Sequence, residues 1–101
     1  MKKDIITILN LTAEDGSVVT AGAYIAIEIE FPIHYGGYVS RAQVYRNKEV
    51  FENGYMPVRI MDFEDEWRKE TTEDINILTI YTETVAFLNS QFDSPICELV
   101  E

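Results

Sequence analysis

Between Ala23 and Phe31 the side chains alternate without a break. Ala23, Ile25, Ile27, Ile29 and Phe31 fall on one side of an extended chain, and Tyr24, Ala26, Glu28 and Glu30 on the other. Successive side chains of a strand point to opposite faces, so this period marks a half-buried strand. A helix would scatter the same isoleucines around its circumference. The chain must build a sheet with its core on one side, and the remaining sequence has to supply the neighbouring strands and a cover for the apolar face.

Neighbours are legible on both sides of this run. Ile5 to Leu11 is rich in β-branched residues and reads as a strand. Glu14-Asp15-Gly16-Ser17 reads as a turn, with Val18 to Thr20 pairing back across it. Pro32 predicts an edge or a bend, and Gly36-Gly37, between Tyr35 and Tyr38, predicts a reversal. Tyr38 to Asn47 reads as the next strand, with mixed residues on both faces, as on an edge strand covered by a neighbour. Asn47 to Gly54 reads as a short helical piece, with Asn47 as N-cap and Gly54 just past its end. Val58 to Phe63 is a further strand, and the charged stretch after it reads as a loop around Trp67.

From Thr72 to Phe92, propensity and period disagree. Ile75, Ile77, Thr79, Ile80, Thr82, Thr84 and Val85 are all β-branched. At helical spacing, however, Ile77, Leu78, Ile80, Tyr81, Val85, Phe87, Leu88 and Phe92 gather on about half of the wheel. Thr79, Thr82, Glu83, Ala86, Asn89 and Ser90 take the other half. Pattern outranks intrinsic preference, so a helix is expected, and Thr71-x-x-Asp74 resembles its capping box. The expected fold is mainly β: a small antiparallel β-sandwich or open barrel with one C-terminal amphipathic α-helix. It forms one domain over 1–101, with strands over 4–63, a charged loop over 64–71, a helix over about 72–91 and a short tail over 92–101, where Ile96 to Val100 reads as a terminal strand.

A chain of 101 residues has room for one core. Its net charge of −10 is unevenly placed. Residues 1–60 carry six bases against seven acids, whereas residues 61–101 carry two bases against eleven acids. That half repels a nucleic acid duplex or an anionic membrane and attracts a basic protein surface. The opening Met1-Lys2-Lys3-Asp4-Ile5-Ile6 begins like a signal peptide, but its apolar run is short and is broken by Thr7 and Asn10, so none is expected. No stretch approaches the ~20 apolar residues of a membrane span. A single cysteine, Cys97, excludes an intrachain disulfide and suits a reducing compartment.

No group of residues announces chemistry. His34 is the sole histidine and Cys97 lies far from it in sequence, so no metal-ligand spacing exists. Cys97 lacks any marked base and reads as a small buried residue. Asp62, Glu64, Asp65 and Glu66 lack the regular spacing of a calcium loop. Glu28 and Glu30 stand roughly 7 Å apart on one strand face, which suits a glycosidase pair and equally any solvent-facing strand. No catalytic, cofactor or metal site is expected. Aromatic residues near arginines anchor protein interfaces. The interface candidates are accordingly Tyr38, Arg41, Tyr45, Arg46, Glu64, Asp65, Glu66 and Trp67.

The stretch Val44-Tyr45-Arg46-Asn47-Lys48-Glu49-Val50-Phe51-Glu52-Asn53-Gly54, followed by Pro57, resembles an element of small structural proteins of tailed bacteriophages. In those, a strand ends in a short Lys-Glu-containing helical insert before a Gly and a Pro. Tyr81, Phe87-Leu88 and the acidic end Cys97-Glu98-Leu99-Val100-Glu101 resemble their closing helix and tail. The resemblance covers about half the chain and carries no invariant functional residue. It implies a non-enzymatic, multi-copy component of the virion neck, tail or baseplate, present in host cytoplasm during assembly. Its partners would be other structural proteins or copies of itself, with no nucleic acid, membrane or small-molecule substrate. The competing expectation is an acidic binding module, such as a nucleic-acid-mimicking inhibitor of a basic protein.

Overall fold

The computed structural model describes residues 4–30, 37–69 and 77–100, with side chains described over 4–28, 41–62 and 80–100. The fold is mainly β. Five strands form one antiparallel sheet: β1 (Asp4–Thr7), β4 (Tyr24–Glu30), β5 (Gly37–Tyr45), β6 (Arg59–Lys69) and β7 (Cys97–Val100), in the order β6-β5-β4-β1-β7. A two-stranded ribbon of β2 (Leu11–Thr12) and β3 (Val18–Val19) lies between β1 and β4 in the chain. A short helix α1 (Lys48–Glu52) links β5 to β6, and α2 (Ile77–Ser90) lies between β6 and β7.

Tyr24 to Glu30 of the alternating run sit at the centre of the sheet as β4, with Ile5 of β1 opposite Ile25 and Val44 of β5 on its other side; Phe31, the bend expected at Pro32 and Gly36 of the expected reversal lie outside the described residues. Ile5, Ile25, Ala42 and Val44 are all buried on that face. The first expected strand is two elements instead. After Thr7 the chain bends, leaving Ile8 and Leu9 exposed, and Asn10 Oδ1 accepts a hydrogen bond from Ala21 N at 2.8 Å. Leu11 then enters the ribbon and is buried again. The ribbon turns through Asp15-Gly16, where Gly16 takes φ +88 and Asp15 Oδ1 accepts from Ser17 N at 2.9 Å.

Two expectations about the far side of the sheet need correction. The charged loop expected over 64–71 is strand as far as Lys69, because Gly37, Tyr38 and Val39 pair with Lys69, Arg68 and Trp67. Charged residues are common on edge strands, where they discourage pairing with other chains; residues 70 and 71 lie outside the described residues. Conversely, β5 is not an edge: β4 and β6 pair with it on either side. Its mixed alternation comes with a register shift at Ser40: Val39 pairs with Ile29, but Ala42 and Val44 pair with Ile27 and Ile25, so the apolar positions change parity along the strand.

The short helix forms as its sequence predicts. Asn47 Oδ1 accepts from Val50 N at 2.9 Å. At the other end Gly54, at φ +78, donates to Phe51 O, and Tyr55 N donates to Val50 O, which closes the last carbonyls in a Schellman arrangement. In α2, Ile80, Thr84 and Leu88 form the buried stripe, one turn apart. Thr84 fits there because its hydroxyl donates to Ile80 O at 2.6 Å. The part of the expected helix over 72–76 lies outside the described residues. Ile80 and Leu88 share one buried cluster with Leu11, Ala13 and Val19 of the ribbon region and with Ile5, Ile25, Ile96 and Cys97 of the sheet region.

Candidate interface on the polar face

The face of the sheet opposite the core is organised around Arg41. Glu28, Arg41 and Asp62 stand on one rung across β4, β5 and β6. Arg41 Nε donates to Asp62 Oδ1 at 3.0 Å and lies 3.9 Å from Glu28 Oε2. These side chains are well exposed, so solvent screens the rung and its net contribution is small. Gln43 continues the network, donating through Nε2 to Glu28 Oε1 at 3.1 Å and accepting from Tyr45 Oη at 2.9 Å.

Next to this polar row α1 brings Phe51 against two tyrosines. Its ring centroid lies 5.0 Å from Tyr24 and 5.1 Å from Tyr45, the latter edge-on. Lys48 of the same helix reaches Asp4 on β1, Nζ to Oδ2, at 2.9 Å. That hydrogen bond holds the Lys48 ammonium above its ordinary pKa. Beyond the helix the chain leaves Tyr55 66% and Met56 83% exposed. Phe51 and Ile60 are also exposed large apolar residues.

The interface residues expected from sequence thus have different fates. Arg41 is tied into the rung. Tyr45 is only 7% exposed, so it packs rather than projects. Arg46 holds the ribbon, donating through Nη1 to Val18 O at 3.2 Å and through Nη2 to Ser17 Oγ at 3.1 Å. Tyr38 stands on β5 opposite Arg68 and Glu30, and Trp67 stands on β6 opposite Val39. Glu64, Asp65 and Glu66 occupy the part of β6 where the register with β5 shifts. The exposed Tyr55-Met56 pair was missed as a pair in sequence, although Gly54 and Pro57 on either side mark it as a projecting turn.

Chemistry has little to work with among the described residues. Burial pushes the Cys97 thiol up to about 11, which leaves it protonated and poorly nucleophilic. Among those residues no three His, Cys, Asp or Glu side chains gather as metal ligands. His34 lies outside the described residues. A cavity of about 90 Å³ opens beside β4, lined by Ile5, Tyr24, Ile25, Ala26, Ile27, Phe51 and Tyr81, and it holds no acid, base or nucleophile beyond the two phenols. No described helix is long and apolar enough to cross a membrane. No protein-family model, curated protein or solved structure matches the chain.

Proposed function

We propose that the chain is a structural or assembly protein that works through protein–protein contacts, as a multi-copy component of a tailed-phage virion at the neck, tail or baseplate. The observation that carries the protein-contact reading is the exposed apolar turn Tyr55-Met56, with Phe51 and Ile60 also exposed. Exposed large apolar side chains are candidates for interaction sites, whereas the cavity offers no reactive constellation. The phage setting rests on the sequence resemblance around Val44 to Pro57. The proposed finer architecture is a sandwich, with the β2–β3 ribbon and α2 as the second layer, since residues of both join the buried cluster.

The test is to isolate the protein from its native setting and identify by mass spectrometry what copurifies. Structural proteins of a phage particle are the expected partners. A monomer that copurifies with nothing, its Tyr55-Met56 turn still solvated in its native setting, removes this reading. Copurification with one basic nucleic-acid-binding protein would favour the acidic inhibitor instead.

A further inference from the structure

We propose that Asn53 is a site of spontaneous deamidation, in which the Gly54 backbone nitrogen displaces the Asn53 carboxamide as ammonia, and that the isoaspartate so formed undoes the stop of α1 that holds the Tyr55-Met56 turn. The inference stands independently of the assembly reading.

The attack needs a following residue small enough for its nitrogen to reach the carboxamide carbon, and a carboxamide free to turn. Of the five asparagines, Asn10 and Asn47 precede Leu11 and Lys48, whose side chains crowd that approach. Both are also held, Asn10 Oδ1 by Ala21 N and Asn47 Oδ1 by Val50 N. Asn76 lies outside the described residues. Asn89 precedes the small Ser90, but its amide is bonded to Ile96 and Cys97 from inside α2. Asn53 precedes Gly54, is exposed, and makes no side-chain hydrogen bond among the described residues. A Cβ built on Gly54 would meet nothing within 4 Å, so water has access to its nitrogen.

What opposes the attack is the helix stop. Gly54 N donates to Phe51 O at 3.1 Å, Tyr55 N donates to Val50 O at 3.2 Å, and Asn53, at ψ 2, must rotate before the nitrogen faces its carboxamide. That opening is local, because α1 contributes no buried residue and Glu52 to Met56 are all exposed. The Gly54 N–H then gives its proton to hydroxide, the nitrogen bonds Cγ of Asn53, and ammonia leaves a cyclic imide. Water reopens the ring. Breaking the nitrogen's bond to Cγ gives aspartate; breaking its bond to the main-chain carbonyl carbon gives isoaspartate, whose backbone runs through Cγ and is one carbon longer. The longer link moves the Gly54 and Tyr55 amides away from Phe51 O and Val50 O. The new carboxylate stands at the negative end of a helix that already carries Glu49 and Glu52 and has no base in its last turn.

The test holds the intact protein at mildly alkaline pH and digests samples with trypsin over time. The peptide from Glu49 to Arg59 is expected to gain one mass unit and to split into two chromatographic forms, one of which accepts a methyl group from an isoaspartate methyltransferase. Asn89 is expected to stay intact in the native protein and to react only in urea. In the aged protein the Gly54 and Tyr55 amides are expected to exchange at least about tenfold faster than in fresh protein. The Val58 amide, bonded to Val44 O, is expected to stay unchanged. Asn53→Gln, whose longer side chain closes the ring poorly, is expected to show neither change over the same period. The site is overturned if Asn53 outlasts Asn89 in the native protein or reacts only in urea. The effect on the turn is overturned if the aged protein keeps both amides protected. It is equally overturned if Asn53→Asp, which adds the charge without the extra carbon, exposes them as much.

Discussion

Asn89 grips Cys97 with both ends of its amide. Its Oδ1 accepts from Cys97 N at 3.1 Å and from Ile96 N at 2.8 Å, while Nδ2 donates to Cys97 O at 3.1 Å. The Cys97 thiol adds a weak donor at 3.4 Å from the same Oδ1. The last turn of α2 is thereby tied to the first residue of β7, which in turn pairs with β1. Asn89→Ala strands backbone groups of Ile96 and Cys97 in a half-buried setting and is expected to cost about 1–3 kcal/mol. Urea denaturation measures it; a loss no larger than that of Ser90→Ala would show that water replaces the amide at no cost.

The buried stripe of α2 makes a second prediction. Leu88→Ala removes a fully buried side chain and leaves a cavity, so a loss of about 2–5 kcal/mol is expected. Thr84→Val keeps the shape and gives up only the bond to Ile80 O, which the helix backbone already satisfies, so it is expected to cost less than about 1 kcal/mol. A larger loss for Thr84→Val than for Leu88→Ala would mean that the hydroxyl bond, not packing, holds the helix in place.

Glu14 is a surface residue with a local structural task, and its effect should be local. Glu14→Ala uncovers the Ile60 N–H and is expected to speed exchange at that amide while leaving the Met61 amide unchanged. The stability loss is expected to be about 0.5–1.5 kcal/mol. Glu14→Gln keeps an acceptor and should behave nearly as the parent. Equal acceleration at Ile60 and Met61 would instead mean that β6 opens as a unit.

Alkaline pH should weaken the fold through Cys97. The buried thiol titrates at about 11 in the folded protein against an ordinary value of 9.0. A raised folded pKa means that the stabilising contribution is fully present below pH 9.0 and is lost as pH rises through about 11. Two units correspond to roughly 2–3 kcal/mol. Lys48, raised by its bond to Asp4, loses its contribution at still more alkaline pH, from its ordinary 10.5 upward. Cys97→Ala should therefore flatten the decline between pH 9 and 11 in denaturation curves, relative to the parent. Rapid alkylation of the native thiol at neutral pH would contradict this burial.

The sequence by itself determined what its own periodicity encodes. The alternation that starts at Ala23 marked the strand that β4 forms over Tyr24 to Glu30, and the Asn47 cap and Gly54 stop delimited α1, because these signals act within a few residues. The wheel of apolar residues from Ile77 to Phe92 likewise outweighed β-branched propensity. Tertiary structure decided which strands are edges. The charges after Phe63 read as a loop because nothing local says that Gly37, Tyr38 and Val39 pair with them. The mixed faces of Tyr38 to Asn47 read as an edge, although β5 is central, because a polar face looks the same in sequence whether or not a strand lies beside it. The partners of the named side chains were equally hidden. Arg46 holds Ser17 and Val18, Lys48 holds Asp4, and Asn89 holds Cys97 across intervals that only the folded chain closes. Side-chain hydrogen bonds depend on distances between elements, and those distances are set by how the sheet, the ribbon and α2 pack around one core.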